Sequence, residues 1–467
     1  MKGTAMKKIV CMLLVLLLLL SGCGAQEPAH YTGTMEGYEF YHTTERNRLW
    51  EEDILYLAEQ FLQTHPLLAN KRIMHSYMAV DPKTNLFDQK YDLTDELYNE
   101  SVKNEFIAQI NELIPRISRL SNAKIAYELQ RIIATLNDPH SGMDVGFRDY
   151  FPLQFEAFYE GDETVYRVAR APQAHSNLLL AKLKAINGVP VEEIVEKLRD
   201  YVAYDNEYWM IREIANPDSP ACLLTQRVAL QKIGIPCVAN FAVFTFETEE
   251  GMERAIIPSV SAYLYEEMEM VSHPTLEKLA YNTRDDLYWY ELMDGGKTMY
   301  IRFDAEEENP EWTLNDFRAE VQKIIRESER PLQIVFDFRN NSGGYLLLDE
   351  FNGLTKTINR ASTNGVYILI DSGSFSAGVL FPHQLRKGIE GAVLVGTPAG
   401  QFANTFGGSI EYTMPNTGYP FYVSSMYIWG EKDVTQDALY PDVLIHQSLE
   451  DYLNGVDAAL QYVLDQE

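Results

Sequence analysis

Apolar positions change period along the chain, and the changes mark out its parts. Trp50, Ile54, Leu57 and Phe61 recur at helical spacing, as do Phe106, Ile110, Leu113 and Ile117, and then Ile125, Leu129, Ile132, Ile133 and Leu136. Each set falls on one face of a helix, which predicts a small helical bundle over 46–146. From 147 to 285 strand and helix signals mix. Lys184-Ala-Ile-Asn187-Gly188-Val-Pro-Val191 reads as a hairpin, because Asn-Gly suits a tight turn between two apolar arms. A helix follows through Ile194, Val195 and Leu198, and 238–248 and 253–260 read as strands.

From 286 onward strands and helices alternate. The runs 299–303, 333–338, 366–370 and 392–395 are short, apolar and bounded by turn formers, as buried strands are. Thr313-Leu-Asn-Asp316 resembles a capping box opening a helix through Phe317, Val321, Ile324 and Ile325. A second helix is expected near 346–354, and a third after Ser376 through Val379, Leu380, His383 and Leu385, stopped by Gly388. The fold class is mixed α/β: an N-terminal helical bundle, a β-rich insert, and a core of largely parallel strands covered by helices.

In such a core, sites gather at the carboxyl ends of strands. Two loops fall there. Ile370-Asp371-Ser-Gly-Ser-Phe-Ser376-Ala377 places Ser376 where a strand turns into a helix, with free N–H groups of the first helical turn beside its hydroxyl. The same serine reads equally well as a plain helix cap. Asp337-Phe-Arg-Asn-Asn-Ser-Gly343-Gly344 ends on a glycine pair. No Walker lysine accompanies it, which leaves an oxyanion-binding turn or an ordinary left-handed turn. A third loop, Asp138-Pro-His140-Ser141-Gly, breaks the last helix of the bundle and exposes His140.

Composition adds an address. Lys2, Lys7 and Lys8 precede an apolar run from Ile9 to Leu20, too short for a comfortable span of roughly 20 residues. Leu20-Ser-Gly-Cys23 then resembles a bacterial lipoprotein signal, cleaved before Cys23. The expected parts are a leader over 1–22, a polar tether over 23–45, the helical region 46–146, the insert 147–285 and the core 286–467. The mature chain is expected on the outer face of the cell membrane, held by lipid at Cys23. The net charge of −29 argues against nucleic-acid partners, since phosphate would be repelled. Cys222 and Cys237 remain after the leader and the lipidated thiol are set aside; pairing and two buried free thiols are both open. No metal-ligand spacing is present, and no metal or cofactor is called for.

Taken together, Asp337-Phe-Arg-Asn-Asn-Ser-Gly-Gly344, Ser374-Phe-Ser-Ala-Gly378 and Tyr440-Pro-Asp-Val resemble the C-terminal-processing and tricorn-like serine peptidases. The His140 loop and the Asn187-Gly hairpin fall in the order that resemblance requires. It implies a core like that of the Clp protease and crotonase folds, with a PDZ-like insert, although no glycine-rich carboxylate-binding loop marks a working PDZ groove. It implies Ser376 as nucleophile and the Gly343, Gly344 and Ala377 N–H groups as oxyanion donors. One branch of the family activates serine with a downstream lysine, but none lies between Lys387 and Lys432. The other branch uses a loop histidine, a slot that His140 fills. His383 is the rival; seven residues beyond Ser376, it sits about 10 Å along the helix, out of hydrogen-bond reach. The family's acid precedes the Pro-Asp motif, where strict spacing lands on Thr435. Asp437 is the choice for the third member, with Glu431, Asp433 and Ser141 as alternatives.

The sequence therefore points to a lipid-anchored serine endopeptidase acting on a peptide or protein. A family member that keeps the fold and binds peptides without cleaving them is the alternative. A crotonase-like thioester enzyme is disfavoured by the secretion signal, since coenzyme A is cytoplasmic.

Overall fold

The structure is a computed structural model that describes residues 43–466, apart from 81–86, 146–148, 162, 217–221, 238–239, 276–278, 281–285, 346–350 and 432–433. Cys23, the leader and Asp433 lie outside the described residues. Among the described residues, no helix is long and apolar enough to cross a membrane.

The three helical stripes form helices Thr44–Thr64, Glu100–Leu113 and Asn122–Ala134. Each starts on a side-chain cap: Thr43, Asn99 and Ser121 accept from N–H groups of the first turn. Their apolar faces close on one another, with Trp50, Ile54, Phe61, Leu129 and Ile133 fully buried. Between the first two helices the chain departs from the helical expectation. Ile73–Val80 and Phe87–Thr94 form an antiparallel hairpin. Its first strand pairs in parallel with Pro420–Trp429, through Met74 with Met426 and Tyr77 with Trp429. Such a partner lies far along the chain and leaves no local signal.

The insert is a seven-stranded sheet in which Phe241–Thr248 pairs with Gly251–Pro258 and Lys182–Ile186, and Glu163–Pro172 continues the order. The expected Asn-Gly turn is there, with φ of 50° at Asn187 and 81° at Gly188. Cys222 and Cys237 are separate buried thiols.

In the core, six strands run in the order Tyr288–Met293, Thr298–Phe303, Leu332–Asp337, Thr363–Ile370, Val393–Gly396, Val443–Leu444. The first pair is antiparallel and the rest are parallel. Alternation along each strand feeds two cores. Ile301, Phe303, Ile334, Phe336, Ile368 and Ile370 pack under helices Leu314–Glu327, Asn352–Arg360 and Ala377–Gly388. Tyr300, Val335, Leu369 and Val395 point the other way, onto helix Ala458–Leu464. Thr313 caps its helix as expected, accepting from Asp316 N–H at 3.2 Å. Burial on both faces is what makes these strands read as continuous apolar runs. It also places the loops after Asp337 and Ile370 side by side, since Asp337 pairs with Leu369 on the neighbouring strand.

Candidate active site

The two loops are stitched together by hydrogen bonds. Asp371 Oδ1 accepts from Asn340 N–H at 2.7 Å, Ser374 Oγ donates to Phe338 O at 2.8 Å, and Phe375 N–H donates to Asn341 O at 2.9 Å. Beneath them lies a buried ionic network. Arg339 holds both oxygens of Asp457 at 2.7 and 2.8 Å and donates to Asp337, which also takes bonds from Arg302 and Tyr300. Burial works against the Asp337 charge, but Arg339 and Arg302 outweigh it and hold that carboxyl down to about 2. The glycine loop is thus pinned to the C-terminal helix through Arg339.

Ser376 sits at φ 54°, ψ −125°, directly before helix Ala377–Gly388. Left-handed backbone at a non-glycine residue costs of order 1–3 kcal/mol and persists only where the surroundings impose it. Here they do. Gly343, at φ 94°, lies against Ser376 so closely that a Cβ would come within 2.7 Å of both Ser376 Cβ and Ala377 N. Gly378 has no room for a Cβ against Asn341 O, and Gly344 none against Glu306 O, each at 2.2 Å. The three glycines are required by close backbone approach, where a Cβ would meet a neighbouring main chain.

The donors divide unequally. Gly343 N–H is spent on Asn341 Oδ1 at 2.8 Å. Among the described residues, the N–H groups of Gly344 and Ala377 stay out of the loop's own hydrogen bonds. Behind the loop, Asn341 Nδ2 donates to Glu306 Oε1 at 2.9 Å, and Glu306 Oε2 is buried with no hydrogen-bond partner among the described residues. Burial pushes the Glu306 carboxyl up to about 8, with the Asn341 hydrogen bond opposing, so at neutral pH it is largely protonated.

His140 comes to the same place from the bundle. Its ring stacks on Phe375, the residue before Ser376, with centroids 4.6 Å apart and planes 25° off parallel. Its backbone N–H donates to Asp138 Oδ1 at 2.9 Å, and its backbone carbonyl accepts from Ser409 Oγ at 2.8 Å. Nδ1 is buried and, among the described residues, has no hydrogen-bond partner; it lies 4.0 Å from Asp138 Oδ1. Burial lowers the His140 pKa below the usual 6.5, and the Asp138 charge only partly restores it. The imidazole is therefore neutral at pH 7, the form a base needs.

Asp138 is fully buried. Burial alone would raise its pKa, but the hydrogen bond from His65, the fields of His65 and His140, and the Ser141 hydroxyl together hold it below the ordinary range. His65 Nε2 lies 3.1 Å from Asp138 Oδ2, while His65 Nδ1 accepts from Leu67 N–H, which puts the ring proton on Nε2. Ser141 Oγ donates to Asp138 and accepts from Ser424 N–H.

Asp437 and Glu431, the other described candidates for the third group, have different recorded partners. Asp437 is exposed and accepts from Tyr440 Oη at 3.0 Å. Glu431 faces His383 at 3.6 Å and Lys387 at 2.7 Å. His383 itself is buried in the helix, and burial, with Lys387 adding to it, pushes its pKa down to about 4. Sequence reasoning passed over Asp205, whose Oδ2 is buried with no hydrogen-bond partner among the described residues. Burial first, then the charges of Asp138 and Asp437, push Asp205 up to about 8. It also passed over Trp209, which stacks on the far side of Phe375. Neither residue belongs to a motif; the one local signal was the Asn206 cap of the helix that follows.

No protein-family model matches the chain, and no curated protein matches it. In three dimensions it is similar to mature CPAF complexed with lactacystin, at 12% identity and a TM-score of 0.57, over 90% of this chain and 97% of that one. Mature CPAF alone matches at 13% identity and a TM-score of 0.55, over 89% and 96%. The photosystem II D1 C-terminal processing protease matches at 11% identity and a TM-score of 0.37, over 89% and 99%. These neighbours are serine peptidases of the C-terminal-processing type, the family that the motifs resemble. The mixed α/β architecture expected from the sequence is the one observed, and over nine-tenths of its length the chain shares the fold of CPAF.

Proposed function

We propose that the protein is a serine endopeptidase on the outer face of the membrane, anchored by lipid at Cys23. The observation that carries this reading is the meeting of a strained Ser376 turn, a glycine loop in contact with it, and a neutral His140 stacked on the adjacent Phe375. Ser376 attacks the scissile carbonyl while His140 takes its proton, later returning it to the leaving amine. The N–H groups of Gly344 and Ala377 receive the oxyanion, and Gly343 shapes the approach. Asp138, rather than Asp437, is the carboxylate whose charge favours the imidazolium that forms.

A fluorophosphonate probe tests the reading. Labelling at Ser376, lost in Ser376→Ala, supports the peptidase; a folded wild-type protein that stays unlabelled favours a peptide-binding lipoprotein. The anchor is tested separately. Cys23→Ala should release the protein from the membrane fraction, and a variant still retained there overturns the lipid attachment.

A further inference from the structure

One short helix of the insert belongs to neither strand-end loop yet packs against both. Asn206 accepts from Trp209 N–H at 3.0 Å, capping helix Glu207–Ile214, and its side-chain amide donates to Ala399 O at 3.1 Å and Asp437 O at 2.8 Å. Arg212, at the other end, donates to Asn340 Oδ1 and covers Gly373, where a Cβ would lie 2.9 Å from the guanidinium carbon. Between these anchors Trp209 lies flat on Phe375, with centroids 4.0 Å apart and planes 16° off parallel. Gly400 makes the space, since a Cβ there would stand 2.6 Å from the indole. Phe375 is therefore the middle ring of a stack that runs Trp209, Phe375, His140.

The stack matters because of how His140 is held. Its backbone is tied at both ends, but among the described residues Nδ1 has no hydrogen-bond partner, and Asp138 Oδ1 lies 4.0 Å from it. A ring torsion of this type is broad when left to itself. Packing on Phe375 sets the angle, and Phe375 keeps its own angle because Trp209 covers its other face. Flat stacked contact of this kind is specific to aromatic rings; an aliphatic side chain of similar bulk does not reproduce it.

We infer that Trp209 is a positioning residue for His140, acting through Phe375, so that the helix Glu207–Ile214 sets how well the base is aligned with Ser376. The inference rests on the reading of His140 as the base. The charged and titratable groups around it are Asp138 on its own loop, His65 beyond Asp138, and the Asp205 carboxyl, whose field reaches Asp138. Arg212 contacts Asn340, while Phe375 and Trp209 bring no charge. Loosening the stack therefore changes the hydration of His140 and not its charged neighbours.

The test compares Trp209→Leu with Trp209→Phe in the full-length protein. The His140 resonance is followed by histidine-selective NMR across pH and assigned by its loss in His140→Gln. Trp209→Leu should move the His140 midpoint up toward the ordinary value of about 6.5. The same variant should slow fluorophosphonate labelling of Ser376 by about tenfold or more, and should lower kcat for a peptide with KM little changed. Trp209→Phe should keep the wild-type midpoint and most of the rate. Should Trp209→Leu not fold, Trp209→Met takes its place with the same expectation. An unchanged His140 midpoint in the ringless variant overturns the inference, whatever happens to the rate. Equal damage in Trp209→Phe overturns it too. If the wild-type protein fails to label, the peptidase reading falls, and the NMR comparison still decides whether the stack holds the ring.

Discussion

Gly343→Ala is the sharpest probe of the site, because the structure sets the size of the effect. The new methyl carbon would stand 2.7 Å from Ser376 Cβ and from Ala377 N, and 3.0 Å from Phe375 O. Carbon contacts relax near 3.5–4.0 Å, so one loop must retreat by about 1 Å. Neither side is a flexible tip. On one side is a serine turn already at positive φ, and on the other a loop pinned by Asp371 and by the Arg339 network. Alanine at φ 94° adds its own backbone strain, about 1–2 kcal/mol. A retreat of about 1 Å takes the donors out of line with the oxyanion, and losing one donor costs roughly 100- to 1000-fold in kcat. The expected outcome is a fall of at least about 100-fold in kcat and in the labelling rate of Ser376, with KM nearly unchanged. A thermal melt on the same preparation separates this from unfolding. A folded Gly343→Ala protein that labels within threefold of wild type would refute the claim that this contact shapes the site.

Other outcomes follow from the same geometry. His140→Ala should lose about as much activity as Ser376→Ala, because members of one unit fail together, while His383→Ala should keep most of it; a peptide-turnover assay that ranks the two histidines the other way removes His140 as base. The rate should rise with pH through a midpoint below 6.5, since burial depresses His140, and a midpoint above that value contradicts the burial argument. Stability should also decline from acid to neutral pH: Glu306 is raised to about 8, so the stability it contributes is present below 4.5 and lost as pH rises toward about 8, and Glu306→Gln should flatten that decline in melts across pH. Arg339→Ala takes the ion-pair partner from the buried Asp457 and leaves Asp337 to Arg302 and Tyr300, and it should cost about 3–5 kcal/mol in chemical denaturation; a loss under 1 kcal/mol would mean the network is not what pins the loop.

Much of the architecture is legible in the chain because its signals are local. The helical stripes, the Thr313 cap and the Asn187-Gly188 turn each depend on residues a few positions apart, and each appears where the spacing puts it. The core strands read as apolar runs because both of their faces are buried. Ser376 could be singled out because a buried strand, a small-residue turn and a helix start meet there, and a lysine could be struck out because none is present in the slot.

The remaining features come from residues that lie far apart in sequence and meet only on folding. The hairpin Ile73–Val80 with Phe87–Thr94 falls within a region of helical stripes, and its parallel partner lies near residue 426. The choice between the two glycines turns on one side chain, Asn341, which takes up the Gly343 N–H and leaves that of Gly344. The basicity of His140, the protonated state of Glu306 and the raised Asp205 come from burial and from charges brought in by other loops. Trp209 meets Phe375 only because the insert helix docks on the strand ends. Periodicity and turn chemistry are properties of neighbours along the chain, whereas desolvation, ring stacking and the field at a titrating group depend on what lies across space, which the order of residues does not display.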